Sequence, residues 1–193
     1  MSVPSGADAR SRLLLALLIA VVLFAAPNAH AAGGPSSLTL LPNDDTGGTQ
    51  WQCPGDGAHY SRINDTDAQE SRIDTIFNRN ATYQETFDLS TGQPQQTISK
   101  TVVTGYAGIR PAWGKLLVGT IYYRVKKGED WLPEEKWDLI ENGIDFTGFG
   151  DEWETGDWTQ TEIDNAQLSI RGKPPSTLGN SIHCEEARVV LRW

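Results

Sequence analysis

The feature that most constrains this fold is a strict alternation of polar residues with residues that are expected to face a protein core. Tyr83, Glu85, Phe87 and Leu89 alternate with polar residues, and residues 116–125 (LLVGTIYYRV) are rich in β-branched and aromatic side chains. Such segments predict half-buried β-strands. Beyond residue 31, no 3.6-residue periodicity continues for three turns, so no long amphipathic helix is expected. The chain is predicted to be all-β.

Turn-forming residues separate the predicted strands. Residues 43–49 (NDDTGGT) and 54–57 (PGDG) have turn chemistry, because Gly, Asn and Asp tolerate left-handed backbone geometry. Asn142-Gly143 predicts a hairpin between strands at 136–140 and 144–149. Many short strands joined by turns predict an antiparallel β-sandwich or barrel, of which we expect a single sandwich.

The C-terminal stretch, residues 157–193, contains one departure from strand patterning. Thr159 followed by Glu162 fits a helix capping box and predicts a short helical turn near 159–166. Residues 187–193 then alternate again and predict a last strand. This stretch predicts the closing part of the sandwich.

The first 31 residues have the order of a secretory signal peptide. Arg10 and Arg12 precede an uncharged apolar run at 13–26, and Ala29-His30-Ala31 supplies small residues for cleavage. The run is shorter than a bilayer span of about 20 residues. We therefore expect cleavage after Ala31, a flexible lead at 32–37, and a single sandwich domain at 38–193. The product would be secreted or on the cell surface, with no membrane span.

Charge argues against one class of partner. The formal net charge is −9, and loss of Asp8, Arg10 and Arg12 with the signal peptide would make it −10. Such a surface repels nucleic acid. It suits a neutral glycan or a cationic partner. The partners expected are an extracellular glycan or surface polymer, with self-association as another. Asn64 and Asn80 each begin a glycosylation sequon.

The two cysteines, Cys53 and Cys184, agree with export. An even number in a secreted chain predicts a disulfide, which would stabilise the fold by about 5 kcal/mol in the chain-entropy model. With His59 and His183 the pair could instead bind zinc. The disulfide is favoured, because the compartment is oxidising and the spacing matches no standard zinc module.

Four segments resemble a group of poorly characterised extracellular and phage-associated jelly-roll domains, similar in shape to galactose-binding-like and lectin-like sandwiches. They are LTLLPN at 38–43, HYSRIND at 59–65, WTQTEIDNAQLSI at 158–170 and CEEARVVLRW at 184–193. The resemblance implies an eight-stranded jelly roll whose first and last strands are neighbours, which fits a Cys53–Cys184 bridge. It implies little about function.

Catalytic and metal motifs are weak. The chain has no nucleophile elbow, phosphate-binding loop or zinc-protease motif, so no catalytic residue is assigned and the protein is predicted not to be an enzyme. Acids around Trp153 leave a glycoside hydrolase as a weaker alternative. No cofactor is expected, although structural calcium is conceivable in loops that carry hard oxygen ligands, at Asp44, Asp45, Asp65 and Asp67.

Seven tryptophans follow the predicted signal peptide. Indole rings stack on sugar rings, so loop-borne tryptophans predict glycan contacts at Trp113, Trp131, Trp153 and Trp158. Trp51 and Trp193 are assigned to packing. The predicted function is non-catalytic binding of a glycan or cell-surface polymer. The alternative is a structural subunit that self-associates by adding its lead and first strand to a neighbour's sheet.

Overall fold

The computed structural model of the chain describes residues 36–47, 50–52, 58–63, 73–75, 81–94, 96–110, 118–140, 147–175 and 180–193. Pro35–Trp193 forms a compact unit of its own. Within the described ranges, the strands and the two short helices are β1 (Ser37–Leu40), β2 (Pro42–Gly47), α1 (Tyr60–Ile63), β3 (Ile73–Asp74), β4 (Tyr83–Leu89), β5 (Lys100–Arg110), β6 (Val118–Lys127), β7 (Asp130–Trp131), β8 (Glu135–Ile140), β9 (Thr147–Glu154), α2 (Gln160–Asp164), β10 (Gln167–Lys173) and β11 (Ser181–Arg192).

The strands form two antiparallel sheets. Sheet I has the order β1-β11-β5-β9, and β3 pairs with the first part of β11, at His183 and Cys184. Sheet II has the order β2-β4-β10-β6-β7, and β8 also pairs with β6. The predicted all-β sandwich is confirmed.

Eight of these strands give the jelly-roll pattern. In chain order they are β1, β4, β5, β6, β8, β9, β10 and β11. The first pairs with the last, the second with the seventh, the third with the sixth and the fourth with the fifth. This nested pairing is the double-sheet jelly roll. The implied contact between first and last strands is observed, with Leu38 opposite Leu191.

The core lies between the sheets and follows strand alternation. On β4, Tyr83, Glu85, Phe87 and Leu89 are buried while the residues between them are partly exposed. Phe87 is fully buried, and burial of such a side chain contributes about 1.5–3 kcal/mol. β6 alternates in the same way, whereas β5, β10 and β11 also contain runs of consecutive buried residues.

The predicted turn at residues 43–49 is wrong for its described part. Pro42–Gly47 forms β2, an edge strand of sheet II that pairs with β4. The register between β2 and β4 shifts twice, between Pro42 and Asp44 and again between Asp45 and Gly47. Such irregularities let turn-forming residues lie on a sheet edge.

The predicted hairpin at Asn142-Gly143 is also wrong. β8 pairs with β6 in sheet II, whereas β9 pairs with β5 in sheet I. Leu139 and Phe149 are both buried, so each strand contributes to the core from its own sheet. Burial of the two strands, rather than the turn dipeptide, decides their pairing.

The predicted helical turn is confirmed as α2. The Thr159 Oγ1 accepts a hydrogen bond from the Glu162 backbone N–H at 3.2 Å, and Glu162 Oε2 accepts one from the Thr159 N–H at 2.7 Å. This capping box supports the helix start, and Ile163 packs into the core. The turn therefore closes one end of the sandwich.

Several predictions fall outside the described residues. They are the signal peptide at 1–31, the first part of the lead at 32–35, Cys53, Asp65, Asp67, Trp113 and the sequons at Asn64 and Asn80. β1 begins at Ser37, which the sequence placed in the lead. Across the part of the chain that the structure describes, neither helix is long and apolar enough to cross a membrane.

Candidate functional site

The outer side of sheet II carries the candidate site. Because Leu168 and Ile170 of β10 and Val125 of β6 point into the core, the residues between them point outward. We define the polar face by these outward residues and their neighbours on adjacent strands: Gln84, Asp88, Tyr122, Arg124, Lys126, Trp131, Gln167, Ser169 and Arg171.

Strand register sets these side chains in rows. Asp88, Gln167, Lys126 and Trp131 lie side by side across four strands. Within this row the Gln167 Nε2 donates to Asp88 Oδ1 at 2.9 Å. The row is thus a continuous strip of hydrogen-bonding groups that ends at an aromatic ring.

A second hydrogen-bonded row lies further along the strands. Arg171 is flanked by Gln84 and Tyr122, and the Gln84 Nε2 donates to Ser169 Oγ at 3.3 Å. The amides on the polar face are therefore held in place by neighbouring side chains.

Two aromatic rings on the polar face each contact an arginine. The Cζ of Arg124 lies 4.4 Å from the centroid of the Trp131 ring, and that of Arg171 lies 4.5 Å from the centroid of Tyr122. Arg171 also forms an ion pair with Glu134. Cation–π contacts of this kind are worth about 0.5–1 kcal/mol at exposed sites. They fix both rings and present guanidinium donors beside them.

A cavity opens at one end of the polar face. It has a volume of about 830 Å³ and shares Asp88, Lys126 and Gln167 with the first row. The capped turn adds Thr159 and Asp164 to its wall. Ligand sites in proteins have volumes of about 300–1,000 Å³, so the cavity is large enough for a small ligand or the end of a chain.

The four predicted ligand tryptophans lie in different places. Trp131 lies on the polar face and is partly exposed. Trp158 is buried, and its Nε1 donates to Thr101 Oγ1 at 3.1 Å and to Thr155 Oγ1 at 3.2 Å. These contacts place Trp158 in the core, with no ring surface for a sugar. Trp113 is outside the described residues.

Trp153 lies at the edge of the sandwich. It meets Tyr123 edge to face, with ring centroids 6.3 Å apart. The acids predicted to flank it separate by strand alternation. Glu152 and Glu154 lie on the opposite side of β9, where Lys100 contacts them at 2.7 and 3.2 Å. Only Asp151 shares the Trp153 side of the strand.

Asp44 and Asp45, predicted as weak calcium ligands, have local partners. The Asp45 carboxylate accepts from the His59 N–H at 2.9 Å and the Tyr60 N–H at 2.8 Å. Asp44 Oδ1 accepts from the Asp45 N–H at 2.8 Å. Asp45 thus satisfies backbone donors at the start of α1. In the described ranges no group of three His, Cys, Asp or Glu residues could hold a metal ion.

Cys184 is fully buried, and burial raises the pKa of its thiol well above the ordinary value. It has no disulfide partner among the described residues, and Cys53 is not among them. Gln52 forms a two-bond backbone bridge with Asp74, whose strand β3 pairs with the Cys184 strand. The Cys53–Cys184 disulfide remains a prediction.

The two histidines of the zinc alternative each contact a carboxylate. The Nδ1 of His59 lies 2.8 and 2.9 Å from the two Glu85 oxygens. The Nδ1 of His183 contacts Asp74 Oδ1. Glu85 faces the core, and burial raises its pKa, with a smaller opposing effect from His59. These contacts give both rings a structural role within the described residues.

The structure brings together a Ser–His–Asp chain that the sequence did not reveal. Ser181 Oγ lies 3.3 Å from His183 Nε2, and the other ring nitrogen contacts Asp74. The three residues are linked in the same order as the nucleophile, the base and the orienting acid of a catalytic triad. Ser181 and His183 are only 2% and 4% exposed, so we assign the chain to joining β3 and β11. The only sign of this chain of contacts in the sequence is the i, i+2 spacing of Ser181 and His183.

No protein-family model and no curated protein matches this chain. Solved structures with a similar backbone trace include the enzymatically active domain of tailspike protein 4 from bacteriophage CBA120, at a TM-score of 0.38 and 9% identity. The match covers 81% of this chain but 19% of the tailspike chain, so this chain spans about a fifth of that protein's length. The xylan-binding module CBM15 matches at a TM-score of 0.33 and 13% identity, over 79% of this chain and 95% of the module.

Proposed function

We propose that the protein is an extracellular glycan-binding sandwich that holds a saccharide on the polar face. The observation that carries this proposal is the pairing of Trp131 with Arg124 and of Tyr122 with Arg171 on the outer side of one sheet. Aromatic rings give sugars an apolar platform. Guanidinium groups present several donors in a fixed plane, which suits ring and hydroxyl oxygens.

The hydrogen-bonding rows supply the rest of the recognition. Gln84 and Gln167 offer amide groups beside the rings, and the Asp88 carboxylate accepts hydrogen bonds. A saccharide that lies along the first row would run beside the 830 Å³ cavity, whose wall includes Asp88, Gln167 and Lys126, and would meet the Trp131 ring at one end. The proposed ligand is therefore an oligosaccharide segment that lies along the cavity wall.

Binding without catalysis fits this face best. Its carboxylate at Asp88 accepts from Gln167, and Glu134 at the margin pairs with Arg171. A glycosidase needs two carboxyl groups that act on one bond. Asp88 and Glu134 both position other side chains on the polar face, whereas Asp44, Glu129, Glu162 and Asp164 line the adjoining cavity. We propose that the polar face holds its ligand without cleaving it.

The alternative, self-association by donation of the first strand, lacks such support. β1 pairs with β11 of its own domain through four consecutive residue pairs, from Ser37–Arg192 to Leu40–Val189. A strand that already completes its own sheet has little to gain by leaving it. We therefore place glycan binding ahead of assembly.

A glycan array followed by calorimetry would test the proposal. Secreted protein should bind at least one oligosaccharide, and Trp131→Ala should weaken that binding by about tenfold or more, which corresponds to about 1.4 kcal/mol. Tyr106→Ala, which changes an exposed aromatic residue on the outer side of sheet I, is a control that should retain affinity. Binding unchanged in Trp131→Ala would contradict the proposal.

A further inference from the structure

We propose a second saccharide site, separate from the polar face, where β8 and β9 meet at the open edge of the sandwich. We define the edge cleft by Tyr123, Glu135, Trp137, Asp151 and Trp153. The ligand class is a neutral pyranose. This inference does not depend on the polar face, since it uses none of its residues.

The strand pairing brings these residues together. Glu135 is the register partner of Tyr123, and Trp137 is that of Ile121. Partners in an antiparallel pair share one side of the sheet, so Glu135 and Trp137 face inward at the sheet edge. β8 contacts β9 there, although the two strands belong to different sheets. Trp137 is 39% exposed despite facing inward, which marks an opening.

Two buried polar groups in the edge cleft have no partner. Tyr123 is 1% exposed, and its ring contacts Phe149 at 5.3 Å and Trp153 at 6.3 Å between centroids. Among the described residues, neither the Tyr123 hydroxyl nor the Trp153 Nε1 has a hydrogen-bond partner. Buried polar groups are nearly always paired, so two orphans on touching rings call for a ligand or a functional reason.

Two carboxylates approach the Tyr123 hydroxyl from different strands. Glu135 lies beside it on β8, and Asp151 faces it from β9, between Phe149 and Trp153. Burial, with smaller effects from Asp151 and then Glu135, raises the pKa of Tyr123 to about 12. The hydroxyl therefore stays protonated at neutral pH and can donate to a ligand.

This set of groups complements a sugar. The carboxylates accept hydrogen bonds from sugar hydroxyls, and the Trp153 N–H and the Tyr123 hydroxyl donate to sugar oxygens. The exposed ring of Trp137 can stack on the pyranose. Glu135 and Asp151 repel acidic sugars, which argues against a negatively charged ligand. Both orphan atoms are shielded from solvent, so binding requires a rotation of Trp137 or Trp153.

Indole N–H signals in a ¹⁵N–¹H spectrum would test the edge cleft, with xylohexaose and cellohexaose as neutral probes and trigalacturonate as the acidic comparison. Trp→Phe variants assign the signals. We expect a neutral probe to shift the Trp153 and Trp137 signals, with trigalacturonate leaving both unchanged. If none of the probes moves the Trp153 signal at saturation, or only trigalacturonate does, the proposal is overturned.

The Tyr123→Phe variant removes only the unpaired hydroxyl. It therefore distinguishes a hydroxyl that binds a ligand from one that is unpaired because of imperfect packing. We expect about fivefold weaker binding of the neutral probe with an unchanged or raised melting temperature. Unchanged affinity would overturn the edge cleft. A Trp131→Ala background keeps the two sites apart, since a Trp153 shift that survives in it supports the edge cleft alone. In the wild-type protein, a shift of the Trp131 signal without one of Trp153 supports the polar face alone.

Discussion

Arg124 lies over the indole ring of Trp131, with its Cζ 4.4 Å from the ring centroid. The two residues come from neighbouring strands of sheet II, where Trp131 is the register partner of Lys126, two residues from Arg124. In the described ranges Arg124 makes no ion pair, and its Nε is buried without a hydrogen-bond partner. Under the proposed function, this guanidinium is one of the groups that would contact the saccharide.

Replacement of Arg124 by lysine should weaken saccharide binding by about three- to tenfold. Lysine keeps the positive charge but loses the planar donor set that stacks on Trp131. Calorimetry with the best oligosaccharide from the array would measure the change. Lys100→Ala, which removes a cation from the outer side of sheet I, should leave affinity unchanged. Equal affinities for wild type and Arg124→Lys would show that the guanidinium plane has no role.

Thr159→Ala should lower the free energy of unfolding by about 1 kcal/mol, because it removes the side-chain cap of α2. Urea titration at pH 7 would measure the loss, and Thr161→Ala, an exposed residue without a capping role, is the control. The Thr159 backbone hydrogen bond lowers the pKa of Glu162 in the folded protein. The stabilisation from the ionised Glu162 carboxylate is therefore present above pH about 4.5 and is lost as the pH falls through the lowered pKa. A loss equal to that of Thr161→Ala would contradict the capping role.

Glu85 should make stability fall as the pH rises. Burial raises its pKa in the folded protein, so its contribution is fully present below the ordinary value of 4.5 and is lost as the pH rises through the raised value. Glu85→Gln cannot ionise, so the stability of the variant relative to wild type should increase with pH above 4.5. Denaturant titrations from pH 4 to 8 would show this. Asp88→Asn, on the exposed side of the same strand, is the control, and a parallel pH response in wild type and Glu85→Gln would contradict the account.

Gly105→Ala should destabilise the protein by about 1–3 kcal/mol. A Cβ at Gly105 would collide with the Glu186 carbonyl oxygen and the Phe149 ring, both in the packed interior of sheet I. Gly148→Ala is the matched control, since its Cβ would meet Tyr106 at an ordinary 3.6 Å. Thermal unfolding of both variants would compare them. Equal melting temperatures would contradict the packing described for sheet I.

The predicted Cys53–Cys184 disulfide can be tested by intact mass. Protein prepared without reductant should weigh two hydrogens less than the reduced form. Equal masses would remove the bridge and leave Cys184 as a buried thiol.

The fold could be predicted largely because burial follows strand alternation. β4 and the last strand show period two in the sequence, and both bury the expected side. The capping box also identified α2, because its two hydrogen bonds involve residues three positions apart. Local patterns of this kind are visible in a single sequence.

The pairing partners of β8 and β9 could not be predicted from local patterns. Asn142-Gly143 has the chemistry of a hairpin turn, yet β8 and β9 join different sheets because each buries a residue against a different partner strand. The candidate site was missed for the same reason. Trp131 was identified as a loop tryptophan, but the contacts of Arg124, Tyr122 and Arg171 depend on the register of β6 with β10 and β7.

The central claim is that saccharide binds to the outer side of sheet II. Two tyrosines with solvent-accessible side chains allow a matched comparison. Tyr122 is partly exposed and lies on the polar face, whereas Tyr106 is 47% exposed and lies on the outer side of sheet I. The most direct measurement is calorimetric titration of Tyr122→Ala and Tyr106→Ala with the same oligosaccharide. The account predicts about tenfold weaker binding for Tyr122→Ala and wild-type affinity for Tyr106→Ala. The opposite ranking, or equal affinities, would contradict it.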